Sequence, residues 1–412
     1  MNGQLCVEFL RGSIAVQELR KQVENELRSD ILPFWLRYTI DDEYGGFRGQ
    51  ITNDLIIDRH ASKGLILNAR ILWTFAKAYS VYKEDIYLKT ARRAYDYLIK
   101  YFWDAEFGGV YWMLDYLGKP VESLKRIYGQ AFALYAFAEH YAATGDKDAL
   151  AKAIQMHQAI EKHSYDAANG GYFETFDRDW KLSANQALSE GDMDEKKSMN
   201  THLHVMEAYA TLLRSWNDPQ LRVRLNELVN IFLTRIIDPR THHFIMFFDD
   251  KWTPKSDHKS FGHDIEGSWL LLEAAEVLGD HALIEKVGAE AVRMAQAVYD
   301  EALDPDGGLM YEADSKRIIE TEKHWWPQAE AVVGFFNAWQ LKGGDCFLKA
   351  SERSWQFIDK HIVDHERGEW YWYVTRDGKP SDTKYKVDPW KCPYHNSRMC
   401  FEIMARVDSL KK

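Results

Sequence analysis

Cysteine is scarce in this chain. Only Cys6, Cys346, Cys392 and Cys400 occur in 412 residues, and no two are spaced CxxC, so neither a disulfide framework nor a structural zinc knuckle is indicated. Long apolar runs are missing too, with nothing near the roughly 20 uninterrupted residues of a membrane-spanning helix. The opening MNGQLCVEFLRGSIAVQELRKQ lacks the basic region, sustained apolar stretch and small-residue cleavage site of a signal peptide. Positive charge is in deficit: 52 Lys and Arg against 63 Asp and Glu give a formal charge of −11. The basic residues are scattered and form no stripe, which argues against a nucleic-acid partner. These absences make a reducing, cytoplasmic compartment the expectation, with no membrane partner.

Aromatic residues, by contrast, are abundant: 15 Trp, 22 Tyr and 20 Phe within a chain that is 46% apolar. A chain of this length can bury a sizeable core. Its organisation is repetitive. The segments DEYGGFRG (42–49), DAEFGGVYW (104–112), DAANGGYFETF (166–176), DPRTHHFIMFFDD (238–250), DPDGGLMYEAD (304–314) and DHERGEWYWYVTRDG (364–378) each begin with Asp and carry an aromatic within eight residues. Their starts fall 62, 62, 72, 66 and 60 positions apart, and four contain Gly-Gly. Gly-Gly suits a tight turn, and the residues after it suit a short strand or hairpin arm.

Helical patterns lie between these modules, with apolar residues recurring every three or four positions. ASKGLILNARILWTFAKAYSVYK precedes EDIYLKTARRAYDYLIKYFW, and RIYGQAFALYAFAEHYAATG precedes DKDALAKAIQMHQAIEKHSY. TGD, WNDP and LGD supply breaks with capping residues. Further pairs occupy 200–237, 264–303 and 325–363, residues 12–37 give another helix, and a last one follows His395. The count approaches twelve helices in six hairpins. An all-α (α/α)6 barrel is therefore expected, a single domain over residues 1–412, its inner and outer rings joined by short β-hairpins at one end. An open solenoid is the rival arrangement, and the lack of evident polar capping repeats favours closure.

In a closed barrel the inner helices all begin at the same end of a central funnel. Arg70 lies in an otherwise mostly apolar helix, after Asn68. Tyr128 opens the second inner helix, and Asn200 and His204 share a face of the third. His263 and Glu266 open the fourth, Trp325, Trp326, Gln328 and Glu330 the fifth, and Trp390, Tyr394, His395 and Arg398 the sixth. A shared phase in the repeat singles out His204, His263 and His395 as functional. His202, two residues from His204, points elsewhere. Buried Arg70 needs a partner, and sugar or enolate oxygens suit it better than a structural ion pair.

Two HxxE fragments on different helices do not make a zinc site, and no metal is expected. Glu207 and Glu266 remain either ligands or carboxylates that orient histidines, whereas Glu273 and Glu276 read as solvated outer positions. A glycoside hydrolase would draw two carboxylates from Asp192, Asp194, Glu195, Glu266 and Glu330, and no spacing selects a pair. The aromatic inventory points to carbohydrate, because Trp and Tyr faces pack on pyranose C–H faces. Trp326 and Trp390 are the stacking candidates; Trp73 and Trp269 read as core.

KGLILNARILWTF, MNTHLHVMEAY, FGHDIEGSWLL, WWPQAEAV and PWKCPYHNSRMCFEI resemble the N-acylglucosamine 2-epimerase superfamily, and within it the cellobiose 2-epimerases, over nearly the whole chain. The resemblance implies an (α/α)6 barrel and cofactor-free epimerisation at C2 of the reducing-end glucose of a β-1,4-linked disaccharide. It implies proton transfer by His263 and His395, with His204, Arg70 and Glu266 assisting and Tyr128, Asn200, Trp326 and Trp390 holding the sugar. The expected partner is a small disaccharide or oligosaccharide, and the chain itself a monomer or weak homo-oligomer. An aldose–ketose isomerase, an N-acylglucosamine 2-epimerase and a non-catalytic sugar-binding protein are the alternatives.

Overall fold

Each repeat is opened by an aspartate, and in all but the fifth its side chain builds the turn, Asp306 taking that part there. Asp104 shows the pattern: its Oδ1 accepts the backbone N–H groups of Glu106 and Phe107 at 3.1 and 3.2 Å. A backbone bridge closes each such turn, at Ile40–Phe47, Trp103–Val110, Tyr165–Tyr172, Ile237–Phe244, Leu303–Leu309 and Val363–Trp370. Gly108 and Gly109 have φ of 73° and 71°, a region that side chains disfavour, which is why Gly-Gly recurs here. The first module starts one residue earlier than its sequence suggests. Asp41, not Asp42, receives the N–H groups of Glu43 and Tyr44; only the turn geometry tells the neighbouring aspartates apart.

The computed structural model describes residues 15–189 and 191–410, so residues 12–14 of the anticipated first helix lie outside the described residues. Twelve helices, α1–α12, occupy that range as alternating outer and inner members. The outer ones are α1 (15–38), α3 (85–102), α5 (Lys147–His163), α7 (219–236), α9 (His281–Glu301) and α11 (345–362). The inner ones are α2 (Leu65–Tyr82), α4 (Ile127–Thr144), α6 (Met199–Ser215), α8 (Phe261–Leu278), α10 (Trp325–Lys342) and α12 (Tyr394–Ser409). In α4 every residue from Ile127 to His140 is buried, as befits a helix covered on all sides. Asp146, Asp218 and Asp280 cap α5, α7 and α9 through their side chains, as the TGD, WNDP and LGD breaks lead one to expect. No described helix is long and apolar enough to cross a membrane.

Inner helices pack against one another in chain order, and α12 returns to α2. The ring therefore closes, as the (α/α)6 reading requires. Short antiparallel pairs repeat the closure at the mouth: Lys63 with Leu114, Lys125 with Phe176, Lys197 with Phe248, Lys259 with Ala313 and Lys323 with Val374. Ile51 pairs with Val387 and joins the last repeat to the first.

Buried lysines lock these turns from below. Lys63 bonds Asp41 at 2.8 Å, Lys125 bonds Asp104 at 3.0 Å, and Lys197 bonds Asp166 at 2.8 Å. Lys323 and Lys386 do the same with Asp304 and Asp364, at 3.0 and 2.7 Å. Removing one partner of so buried a pair costs about 3–5 kcal/mol, because the other charge is stranded. The fourth repeat departs: Lys259 turns to Glu301 at 2.7 Å. There Asp264 holds the turn, accepting from Phe244 N and bonding His243 Nδ1, both at 2.7 Å.

Candidate active site

The N-terminal ends of the inner helices surround a cavity of about 670 Å³, and all nine candidate residues line it: Arg70, Tyr128, Asn200, His204, His263, Glu266, Trp326, Trp390 and His395. They come from six helices or the segments just before them. The common phase read from the repeats thus corresponds to a common place.

Arg70 is 3% exposed, yet it has no carboxylate partner among the described residues. Its Nη2 donates to the Tyr128 hydroxyl at 2.9 Å, and its Nη1 lies 3.8 Å from Cys392 Sγ. The guanidinium sits 4.2 Å from the Phe132 ring centre and 4.9 Å from that of Tyr394, while Nε is buried and unpartnered. A desolvated cation held by aromatic faces keeps its charge for something in the cavity.

Each imidazole is fixed through Nδ1. His263 Nδ1 lies 2.7 Å from Ser260 Oγ, one turn back at the start of α8. His204 Nδ1 is 2.9 Å from Glu207 Oε2, and His395 Nδ1 is 2.7 Å from Glu330 Oε1. The Nε2 atoms of His263 and His395 have no protein partner among the described residues. The Trp326 ring packs against both, 4.7 Å from the centre of His263 and 5.5 Å from that of His395. Burial, with the positive fields of His204 and Arg70, pulls His263 down to about 3. Burial and the same kind of field from Arg70 and Arg398 hold His395 well below the ordinary histidine value. Both rings are therefore neutral bases at pH 7.

Beneath them lies one guanidinium among three carboxylates. Arg398 donates to Glu207, Glu266 and Glu330, the last at 2.7 Å, and to the Tyr394 hydroxyl at 2.5 Å. Burial favours protonation of Glu207, but Arg398 and the bonds from His204 and Tyr394 outweigh it and bring the carboxyl to about 2. Glu266 goes the other way. Burial and the neighbouring Glu330 push it up to about 7, and its Oε2 is buried without a partner.

Sequence reasoning gave Arg398 a position and no role, and that role is the main correction. Glu266, which the sequence leaves as a ligand or as a carboxylate that orients or charges a histidine, lies 3.9 Å from His395 Nδ1 and has Arg398 as its close partner. Glu330 and Glu207 orient His395 and His204 instead. Glu266, Glu330 and His395 bring ligand-type atoms within 4.8 Å of one another. The cation they face is Arg398, whose Nη2 bonds both carboxylates. His202 does point elsewhere, bonding Ser198 O and Tyr172 N at 2.6 and 2.9 Å. Asp192 and Asp194 are engaged within their own segment, with Ser189 and Gln186 N. Trp73 and Trp269 are buried, although Trp269 also donates to Glu330 Oε2 at 3.0 Å. Glu276 is exposed, whereas Glu273 is half-buried and paired with Arg214 at 2.7 Å.

Solved structures place this architecture among sugar-processing helical barrels, and the class is that of a carbohydrate epimerase. The chain superposes on a sugar epimerase from a ruminal bacterium with a TM-score of 0.91 at 41% identity, covering 94% of this chain and 99% of that one. For the cellobiose 2-epimerase of Bacillus thermoamylovorans the TM-score is 0.90 at 39% identity, covering 95% and 100%. The chain belongs to the N-acylglucosamine 2-epimerase family, whose description matches residues 45–397. It is 44% identical to a cellobiose 2-epimerase of Bacteroides fragilis over 94% of this chain and 99% of that protein.

Proposed function

We propose that the whole 412-residue chain acts as one catalytic unit that inverts C2 of the reducing-end glucose of a β-1,4-linked disaccharide, such as cellobiose or lactose, leaving mannose at that end. The observation that carries this is the pair of neutral imidazoles, His263 and His395, both packed against the Trp326 ring with each Nδ1 engaged and each Nε2 left to the cavity. The names of the relatives support the same reaction and the choice of disaccharide.

Inverting C2 requires proton access to both faces of a planar cis-enediol, hence two acid/base groups. After ring opening, His395 takes the C2 proton, and Glu330 stabilises the resulting imidazolium as the carboxylate of a catalytic triad does. Arg70, with Tyr128 and His204, faces the negative charge that develops on the O1/O2 side. That charge opposes the fields of His204 and Arg70, which add to burial in keeping His263 deprotonated in the free site. His263 then takes a proton from solvent and delivers it to the opposite face, while His395 gives the proton it removed to solvent, so both imidazoles end neutral. In the mannose-to-glucose direction the two roles exchange. Trp326 and Trp390 provide the faces on which the pyranose packs, and Asn200, whose Oδ1 is buried and unpartnered, accepts from a sugar hydroxyl. Protonation of the same enediol at C1 gives the 2-keto sugar, so slow isomerisation accompanies epimerisation. All the proton transfers are assigned to side chains, without a cofactor.

NMR of the protein with cellobiose in D2O tests this. The expected product is 4-O-glucosylmannose carrying deuterium at C2. Release of glucose would reassign the protein as a hydrolase, and an unchanged spectrum would overturn the proposal.

A further inference from the structure

Just before α4, Arg126 holds two walls of the cavity together. Its Nη1 donates to the carbonyls of Ala187 and Leu188, both at 2.5 Å. These belong to a strap, residues 183–189, that contributes Gln186, Leu188 and Ser189 to the cavity lining. Its Nη2 donates to Glu122 at 2.6 Å. The same guanidinium lies 5.0 Å from the Trp112 ring centre, and Trp112 packs 5.6 Å from Trp390. One cation thus ties the strap on one side to the tryptophan pair on the other. Gln186 fixes the far part of the strap, bonding Thr175 O at 2.8 Å and Ser183 O at 2.7 Å. Arg126 and Thr175 themselves face one another across a strand pair.

Such an arrangement has a geometric reason. The strap presents carbonyls with no helix or sheet to satisfy them, and a planar guanidinium can serve two at once while stacking on an indole. Lysine offers a point charge and no such plane. None of these atoms touches the imidazoles, so the effect of Arg126 reaches the sugar through the cavity wall and not through proton transfer.

On the reading of the site as a disaccharide C2 epimerase, we propose that Arg126 is a positioning residue for the substrate. It fixes the strap and the Trp112–Trp390 pair in one register, and so sets how the disaccharide seats in the cavity without taking part in the chemistry.

Arg126→Ala and Arg126→Lys test it, each assayed for cellobiose epimerisation and for amide hydrogen exchange over residues 186–189. For Arg126→Ala the expected result is a KM raised about tenfold with kcat changed by less than about threefold, the signature of lost ground-state and transition-state binding together. Exchange in the strap speeds up, and Arg126→Lys recovers only part of either effect. Unchanged exchange in the strap overturns the proposal whatever the substrate, and so does faster exchange with an unaltered KM. A fall in kcat that matches the loss in kcat/KM would make Arg126 part of the chemistry and overturn it too. Absence of turnover by the unmodified protein would instead count against the proposed function, which the exchange measurement does not depend on.

Discussion

The Glu330 Oε1 atom lies 2.7 Å from His395 Nδ1 and 2.7 Å from Arg398 Nη2. A single carboxylate oxygen therefore joins the imidazole to the buried guanidinium. An ionised carboxylate only accepts, so it keeps the proton of His395 on Nδ1 and the lone pair on Nε2, towards the cavity. Glu330→Gln should reverse this, because an amide can turn its NH2 to Nδ1 and move the proton to Nε2. The expected loss in kcat is about 10²–10⁴-fold with a smaller change in KM, measured by initial-rate epimerisation of cellobiose.

Arg398 explains why chelation should have no effect. Glu266 and Glu330 each turn Oε1 towards its guanidinium, so a cation already sits between the two carboxylates. Protein dialysed against a strong chelator should retain its full epimerisation rate, and added Zn²⁺ or Mg²⁺ should not raise it. Restoration of a lost rate by one metal ion would show that the carboxylates leave Arg398 to bind it.

The barrel was legible in the sequence because its period was, and because inner helices need apolar residues all round. The region of the nine cavity residues was legible for the same reason, since helix starts at one phase of a closed ring gather at one end. The choice among them came from the family resemblance: Gln328 shares the phase and bonds Leu309 instead. Arg398 was harder to read. It lies one turn past His395, and nothing in NSRMCF distinguishes a buried cation from an exposed one. The lysine locks were hidden by distance, since Lys125 stands 21 residues from Asp104 and lysine is ordinarily a surface residue. A lysine two positions before each of five inner helices, at 63, 125, 197, 259 and 323, is the signal that could have revealed four of the five locks; Lys259 departs and Lys386 lies outside the pattern.

Stability should fall as the solution is acidified, and one histidine outside the cavity offers a clean test. His140 is 1% exposed and stacked on Tyr95 at 5.0 Å, with Nδ1 unpartnered, and burial lowers it to about 4. A folded-state value below the unfolded one contributes stability that is present above about 6.5 and is lost as pH falls through about 4. The loss attributable to His140 amounts to about 3 kcal/mol at the acid end. His140→Phe fills the same stacked position without a titrating group. Its Tm should therefore fall less between pH 7 and pH 4.5 than that of the unmodified protein. Parallel Tm curves would mean that His140 takes its proton without unfolding.

The two-face assignment makes a crossed prediction for His263→Asn and His395→Asn. Each variant should lose net epimerisation, since one face of the enediol has no proton carrier, but each keeps the other base. With His395 intact, His263→Asn should still remove the C2 proton of cellobiose and return a deuteron from D2O to the same face, exchanging hydrogen with retention. His395→Asn should leave cellobiose at C2 unlabelled, yet exchange the C2 proton of 4-O-glucosylmannose through His263. The reciprocal pattern, read by NMR in D2O, requires two separate bases on opposite faces. Exchange of both sugars by one variant and neither by the other would show that a single histidine serves both faces.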